Sequence, residues 1–167
     1  MRVKYRGEPD PVSAWDEIIP DLFMGGHIRR QGPSGEYIPV VVRAEFDVVI
    51  SLCHEDDHGP ADLVEHHCRE IPDGPLTSAQ LADVRELAET ATAAVRAGRK
   101  VLVRCHSGYN RSGLVVGQAL VHLGYQVDDA IFLVRYRRSK WALNNHLFVE
   151  YLTTGLDVAS LLVDLDG

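Results

Sequence analysis

The sequence predicts an α/β domain with a central, mostly parallel sheet of four to five strands flanked by helices. Three observations carry this. Asp47-Val48-Val49-Ile50-Ser51-Leu52 is a compact β-branched run, and Lys100-Val101-Leu102-Val103-Arg104 is a second short apolar run, both of strand length. Between them lies a long amphipathic segment, Thr77 to Ala97, with the 3.6-residue period of a helix. Strand, helix, strand in that order is the pattern of a parallel crossover.

Taken in chain order, Leu22-Phe23-Met24 reads as a short strand that ends at Gly25-Gly26. The turn-rich patch Arg29 to Gly35 reads as an exposed loop, and Ile38 to Val42 as a further strand or hairpin arm. The helix from Thr77 opens with a capping box, Thr77-Ser78-Ala79-Gln80, and places Leu81, Val84, Leu87, Ala88, Ala91 and Val95 on one face. Gly98 ends it. A polar loop after Arg104 leads to a helix, Leu114 to Leu123, apolar on all sides and stopped at Gly124. Two more helices are expected at about Val127–Arg138 and Asn145–Thr153. All 167 residues are expected to form one domain, with residues 1–12 a loosely ordered N-terminal segment.

Composition narrows the field. Hydrophobic residues make up 46% and charged residues 25%, the balance of a soluble globular chain. No run approaches the ~18 apolar residues of a membrane span, and no signal peptide opens the chain, so a cytoplasmic protein is expected. Three cysteines, Cys53, Cys68 and Cys105, are too few for a disulfide framework and point to a reactive or simply buried thiol. A net charge of -7 disfavours nucleic acid held over a broad surface, but leaves room for one phosphate in a locally positive pocket.

The informative stretch is Val101-Leu102-Val103-Arg104-Cys105-His106-Ser107-Gly108-Tyr109-Asn110-Arg111-Ser112-Gly113. A Cys with Arg six residues on arises by chance about 0.25 times in such a chain; Gly at the third position and Ser or Thr at the seventh cut this to about 0.002. A loop between a buried strand and a helix can curl its N–H groups onto one point, where the helix N-terminus adds its positive dipole end. A thiol below that point is favoured as thiolate and becomes a nucleophile. Gly108 permits a turn that a side chain would obstruct. Arg111 grips two phosphate oxygens with its planar fork, and Ser112 donates to the sulfur as it leaves.

Here the chain resembles the cysteine-dependent protein phosphatases, and in particular their small dual-specificity branch. Cys105-x5-Arg111-Ser112 looks like their phosphate-binding loop. Ile19 to Gly25 looks like their opening strand, and Ala130-Ile131-x2-Val134-Arg135-x2-Arg138 with Asn145-x2-Phe148 like their closing helices. The resemblance spans about Trp15 to Leu152. It implies a dual-specificity phosphatase-like fold and hydrolysis of phosphotyrosine, and of phosphoserine or phosphothreonine, through a phosphocysteine on Cys105. It also implies a phosphorylated protein or peptide as partner and neither cofactor nor metal. His106, Ser107, Gly108, Tyr109, Asn110 and Arg111 would line the phosphate, and Asn145 would brace the loop. A general acid is expected about thirty residues upstream on a loop. Asp73, in Ile71-Pro72-Asp73-Gly74-Pro75, fits, with Asp56 and Asp57 as competitors. Arg104 stands where such phosphatases carry His, and its charge would bias the thiol.

Blander readings compete at several positions. Cys53 is either a reversible disulfide partner of the nucleophile, as in some relatives, or an inert core thiol. His54, Asp56, Asp57, His58, His66 and His67 lack the spacing of a zinc site and read as a solvated loop. The 27–46 segment is either a flap near the site or plain surface. An RNA 5′-triphosphatase of capping type and a silent phospho-binding module are the rival functions.

Overall fold

The computed structural model describes residues 7–32 and 35–166. The chain runs β1 (Trp15–Ile19), β2 (Leu22–Gly26), β3 (Ile28–Arg30), β4 (Tyr37–Pro39), β5 (Val48–Ser51), β6 (Glu65–Cys68), α1 (Ser78–Arg96), β7 (Val101–Cys105), α2 (Arg111–His122), α3 (Val127–Arg137), α4 (His146–Thr154) and α5 (Leu156–Asp166). Five strands form one sheet in the order β1-β2-β7-β5-β6, and β3 pairs with β4 in a small hairpin. Only β1 runs antiparallel to its neighbour in the large sheet; the β2–β7, β7–β5 and β5–β6 pairs are parallel. The expected mostly parallel α/β sheet is what the chain builds.

The sheet is covered differently on its two faces, and this follows from side-chain alternation along each strand. On one face Leu22, Met24, Val48, Ile50, Val101 and Val103 share one core with residues of the helices, with Leu81, Val84, Leu114, Val115 and Phe148 among the fully buried partners. On the other face Val49 and Leu102 pack with Val42, Phe46, Trp15 and Phe23. Phe46 meets both Trp15 and Phe23 edge-on at 5.1 Å between centroids. The 27–46 segment is therefore neither a flap nor plain surface: His27, Val40, Val42 and Phe46 are buried, and its second half closes the helix-free face.

Other differences have local causes. Arg29 and Arg30 lie in β3 rather than in a loop, because a polar hairpin carries no apolar run to betray it; Pro33 and Ser34 of the same patch lie outside the described residues. The strand expected at Ile38–Val42 is shorter, Tyr37–Pro39, after which Val42 donates to the His58 carbonyl (3.0 Å). The polar strand β6, Glu-His-His-Cys, is an edge strand with little to bury, so no alternation marks it. The helix α5 follows Gly155 directly and was hidden by it.

Candidate active site

The strand β7 ends on Cys105, which is 2% exposed and paired in register with Gly26 of the adjacent β2. The loop that follows, 106–110, folds back over Gly25 and Gly26. A Cβ at Gly26 would stand 2.6 Å from the His106 carbonyl oxygen, so the pair of glycines is what lets the loop lie this close. Gly108 takes φ +76°, in the left-handed region.

The orientation of this loop is set by where its carbonyls go. The His106 carbonyl accepts from the His27 amide (2.8 Å), and the Tyr109 carbonyl from Leu143 (3.0 Å). Ser107 and Gly108 carbonyls accept from the Arg138 guanidinium, at 3.0 and 3.1 Å. Asn110 starts the α2 ladder by accepting from Leu114 (2.8 Å). In a trans peptide the N–H of the next residue points opposite to each carbonyl. Five carbonyls drawn outward therefore turn the amides of Ser107, Gly108, Tyr109, Asn110 and Arg111 inward, and among the described residues none of these amides has a protein acceptor. With the N-terminus of the twelve-residue α2 behind them, they form a concave donor set for an anion.

Arg138 holds this arrangement from outside. Its side chain is 1% exposed, pairs with Asp16 (2.9 Å) and also donates to the Ser13 carbonyl (3.0 Å). Sequence reasoning placed Arg138 only as part of a closing-helix resemblance. Its contact with residues thirty positions away leaves no periodic signal.

Around the loop, the structure gathers most of the expected residues. Glu8, Asp73, Cys105, Ser107, Tyr109, Asn110 and Arg111 line one recess. The Ser112 hydroxyl stands 3.3 Å from the Cys105 sulfur. Arg111 is 6% exposed, and its only hydrogen bond among the described residues is a long one to the Ile71 carbonyl (3.4 Å). Asp73 is held by two asparagines: its Oδ2 accepts from Asn110 (3.1 Å) and its Oδ1 from Asn145 (2.8 Å). Asn145 also donates its amide to the Asn110 side chain (2.9 Å) and caps α4 by accepting from Leu147 (3.1 Å). It thus ties the loop to the upstream carboxylate as well as bracing it. Asp56 and Asp57 do not line the recess, and Asp56 pairs with His54 at the surface (2.9 Å).

Arg104 departs from expectation. Alternation along β7 sends its side chain to the face opposite Cys105. There it is 1% exposed and donates to Ser51 Oγ (2.9 Å) and to the carbonyls of His58 (2.9 Å) and Gly59 (2.6 Å). Burial lowers its pKa to about 10, opposed by Cys53 and Cys68, so it stays charged at neutral pH. Its role is to clamp the 58–59 turn, and among the described residues it makes no hydrogen bond to the 106–110 loop. Beside it, His27 donates from Nε2 to the Cys53 carbonyl (3.1 Å) and faces His58 Nδ1 (3.2 Å).

Cys53 is half-buried just past the end of β5. Burial first, and then the neighbouring Cys105, push its thiol up to about 12, so it is held protonated at neutral pH. His66 and His67, expected in a solvated loop, lie instead in the edge strand β6 and pair with their neighbours, His67 with Glu65 (2.9 Å) and His66 with Ser51 (2.8 Å).

No family model matches the sequence, and no curated protein matches it. Solved structures do. Human DUSP28 superposes with a TM-score of 0.62 at 22% identity, over 89% of this chain and 99% of that one. A mouse dual-specificity phosphatase, described as putative and complexed with zinc tungstate, gives 0.59 at 20% identity, over 95% and 96%. The human tyrosine phosphatase-like serine/threonine/tyrosine-interacting protein gives 0.57 at 20% identity, over 89% and 97%. Since a fold hosts more than one function, likeness at these identities speaks to architecture. With the sheet order, the loop at the end of β7 and these superpositions together, the chain has the fold of the dual-specificity and tyrosine phosphatases.

Proposed function

We propose that this chain is a phosphomonoesterase acting on phosphorylated protein side chains, phosphotyrosine first and phosphoserine or phosphothreonine second, working as one phosphatase domain in the cytoplasm. The observation that carries the reading is the inward set of amides at 107–111 sharing a recess with Cys105, Arg111 and Asp73. Oriented donors and a planar cation suit the three equatorial oxygens of a transferring phosphoryl group, where its charge resides.

In the first step the Cys105 sulfur forms a bond to phosphorus while the ester P–O bond breaks, and Asp73 gives its proton to the departing oxygen. In the second, water attacks the phosphocysteine, Asp73 takes a proton from that water, and the sulfur leaves with Ser112 donating to it. The products are inorganic phosphate and the free hydroxyl of the substrate. Asn110 and Asn145 position Asp73 for both transfers.

The test offers purified protein an aryl phosphate, a phosphotyrosine peptide and a triphosphorylated RNA, with and without vanadate. Turnover of the first two, inhibited by vanadate, is expected. Cys105→Ser abolishes turnover yet still binds the phosphopeptide. Asp73→Asn lowers kcat by about 10²-fold for substrates with poor leaving groups, and far less for good ones. Turnover of RNA alone identifies a triphosphatase, and phosphopeptide binding by the unaltered protein without turnover identifies a silent binding module.

A further inference from the structure

Leu143, between α3 and α4, has a backbone conformation that its side chain disfavours. It lies in the left-handed region, at φ +57°, and is fully buried. Asp21 and Asp57 also have positive φ, but a short polar side chain tolerates this better than leucine does. A strained residue persists only where its surroundings hold it, and here two sets of bonds do so. The Arg135 guanidinium donates from Nε to the Ala142 carbonyl (3.0 Å) and from Nη2 to the Leu143 carbonyl (3.0 Å). From the other side, the Leu143 amide donates to the Tyr109 carbonyl of the loop after β7 (3.0 Å). The turn delivers Asn144 and Asn145 to the recess. Asn144 Oδ1 accepts from Asn110 Nδ2 (3.2 Å), while Asn144 Nδ2 donates to the Trp141 carbonyl (2.8 Å). The Asn145 amide donates to Asn110 Oδ1 (2.9 Å). Asn110 and Asn145, the two asparagines that donate to the Asp73 carboxylate, are thus fixed by the 142–145 turn or belong to it.

We propose that Arg135 and Asn144 are positioning residues for the general acid: Arg135 holds the left-handed turn at Leu143, and Asn144 orients Asn110 towards Asp73. The proposal rests on the phosphatase reading above, with Asp73 as the acid. Two carbonyls are gripped at once, which a planar fork does and a single ammonium does not. The His106, Ser107, Gly108 and Asn110 carbonyls are drawn outward by donors outside this turn, so the inward amides outlast the loss of Arg135. The cost therefore falls on proton transfer to the departing oxygen and not on binding of the oxyanion.

The experiment measures kcat/KM, which covers the breaking of the ester bond, for p-nitrophenyl phosphate and phenyl phosphate, a good and a poor leaving group. Arg135→Gln and Asn144→Ala each lower it by about 10-fold for phenyl phosphate and by less than about 2-fold for p-nitrophenyl phosphate, with vanadate inhibition unchanged. Arg135→Lys, which keeps the charge and loses the fork, behaves like Arg135→Gln. On an Asp73→Asn background each costs less than about 2-fold, because the group they position no longer transfers a proton. Equal losses for the two substrates overturn the proposal, as do losses that multiply with that of Asp73→Asn, or full activity in every variant. Arg135→Lys and Asn144→Ala carry the same readouts if Arg135→Gln does not fold. If Asp73→Asn itself does not distinguish the leaving groups, or no substrate is turned over, it is the phosphatase reading that fails. The side-chain amide NMR signals of Asn145 then still decide. Arg135→Gln, Arg135→Lys and Asn144→Ala move them towards their positions in Asp73→Ala, and unmoved signals overturn the proposal.

Discussion

A methyl group at Gly108 has nowhere to go. Its Cβ would lie 2.5 Å from the Gly25 carbonyl and 2.6 Å from the Arg138 guanidinium, and φ +76° disfavours any L side chain by about 1–2 kcal/mol. Because that guanidinium orients the Ser107 and Gly108 carbonyls, Gly108→Ala displaces the group that turns the amides inward. The expected outcome is a fall of at least about 10²-fold in kcat/KM for an aryl phosphate, with a matching loss of vanadate inhibition, since small misplacements of donors carry large kinetic costs. Unchanged kinetics would sink the account of the loop. At this scale the spacing of Cys105, Gly108, Arg111 and Ser112 was legible in the sequence, because one turn of chain holds all four. The direction of Arg104 was not, since which face of a strand a residue takes depends on what packs against it.

The upstream carboxylate depends on the elements either side of it. Asp73 sits in the connection between β6 and α1, and that connection is held at its far end by the first turn of the helix. Thr77 Oγ1 accepts from the Gln80 amide (3.2 Å), and the Gln80 side chain accepts from the Thr77 amide (2.9 Å). Just before it, the Leu76 amide donates to the Tyr151 hydroxyl of α4 (3.1 Å). Thr77→Ala removes half of the capping box and is expected to cost about 1 kcal/mol, a drop of about 2–4 °C in thermal midpoint for a chain of this size. Calorimetry or a denaturant titration reads this directly. The capping box was visible in four consecutive letters. The strand β6 and the hairpin β3–β4 were not, because short polar edge strands bury too little to impose a period. The helix α5 buries Leu156 and Ala159 but leaves Leu161, Leu162 and Leu165 exposed, so its apolar residues do not fall on one face.

Across the whole molecule, the sheet face that lacks helices contains a buried histidine beside a buried arginine. Burial first, and then the charge of Arg104, lower His27 from 6.5 to about 3, against the opposing bond to the Cys53 carbonyl. In the unfolded chain His27 titrates near 6.5. Above that pH both states hold it neutral, and its contribution to stability is complete. As pH falls below 6.5 the unfolded chain takes up a proton that the folded chain refuses until about pH 3, so stability is lost across that window. The loss from this one group is about 2 kcal/mol by pH 5. Denaturant titrations at pH 7 and pH 5 should show it, and His27→Gln should flatten that part of the pH dependence. An identical slope in the variant would mean that other groups govern acid sensitivity.

What the amino-acid order determined alone is everything set by near neighbours: the buried strands, the capped helix, and a cysteine, glycine, arginine and serine spaced to wrap an anion. These are local because a strand, a turn or a helix N-terminus is made within a few residues. Only the tertiary structure decided that Asp73 and not Asp56 shares the recess with Cys105, and that Arg138 turns the loop carbonyls outward. The same holds for Arg104 serving the far side of the sheet, and for Glu8 entering the wall of the recess. Each of these joins residues distant in sequence through packing and hydrogen bonds, and such contacts impose no spacing on the chain that could be read beforehand.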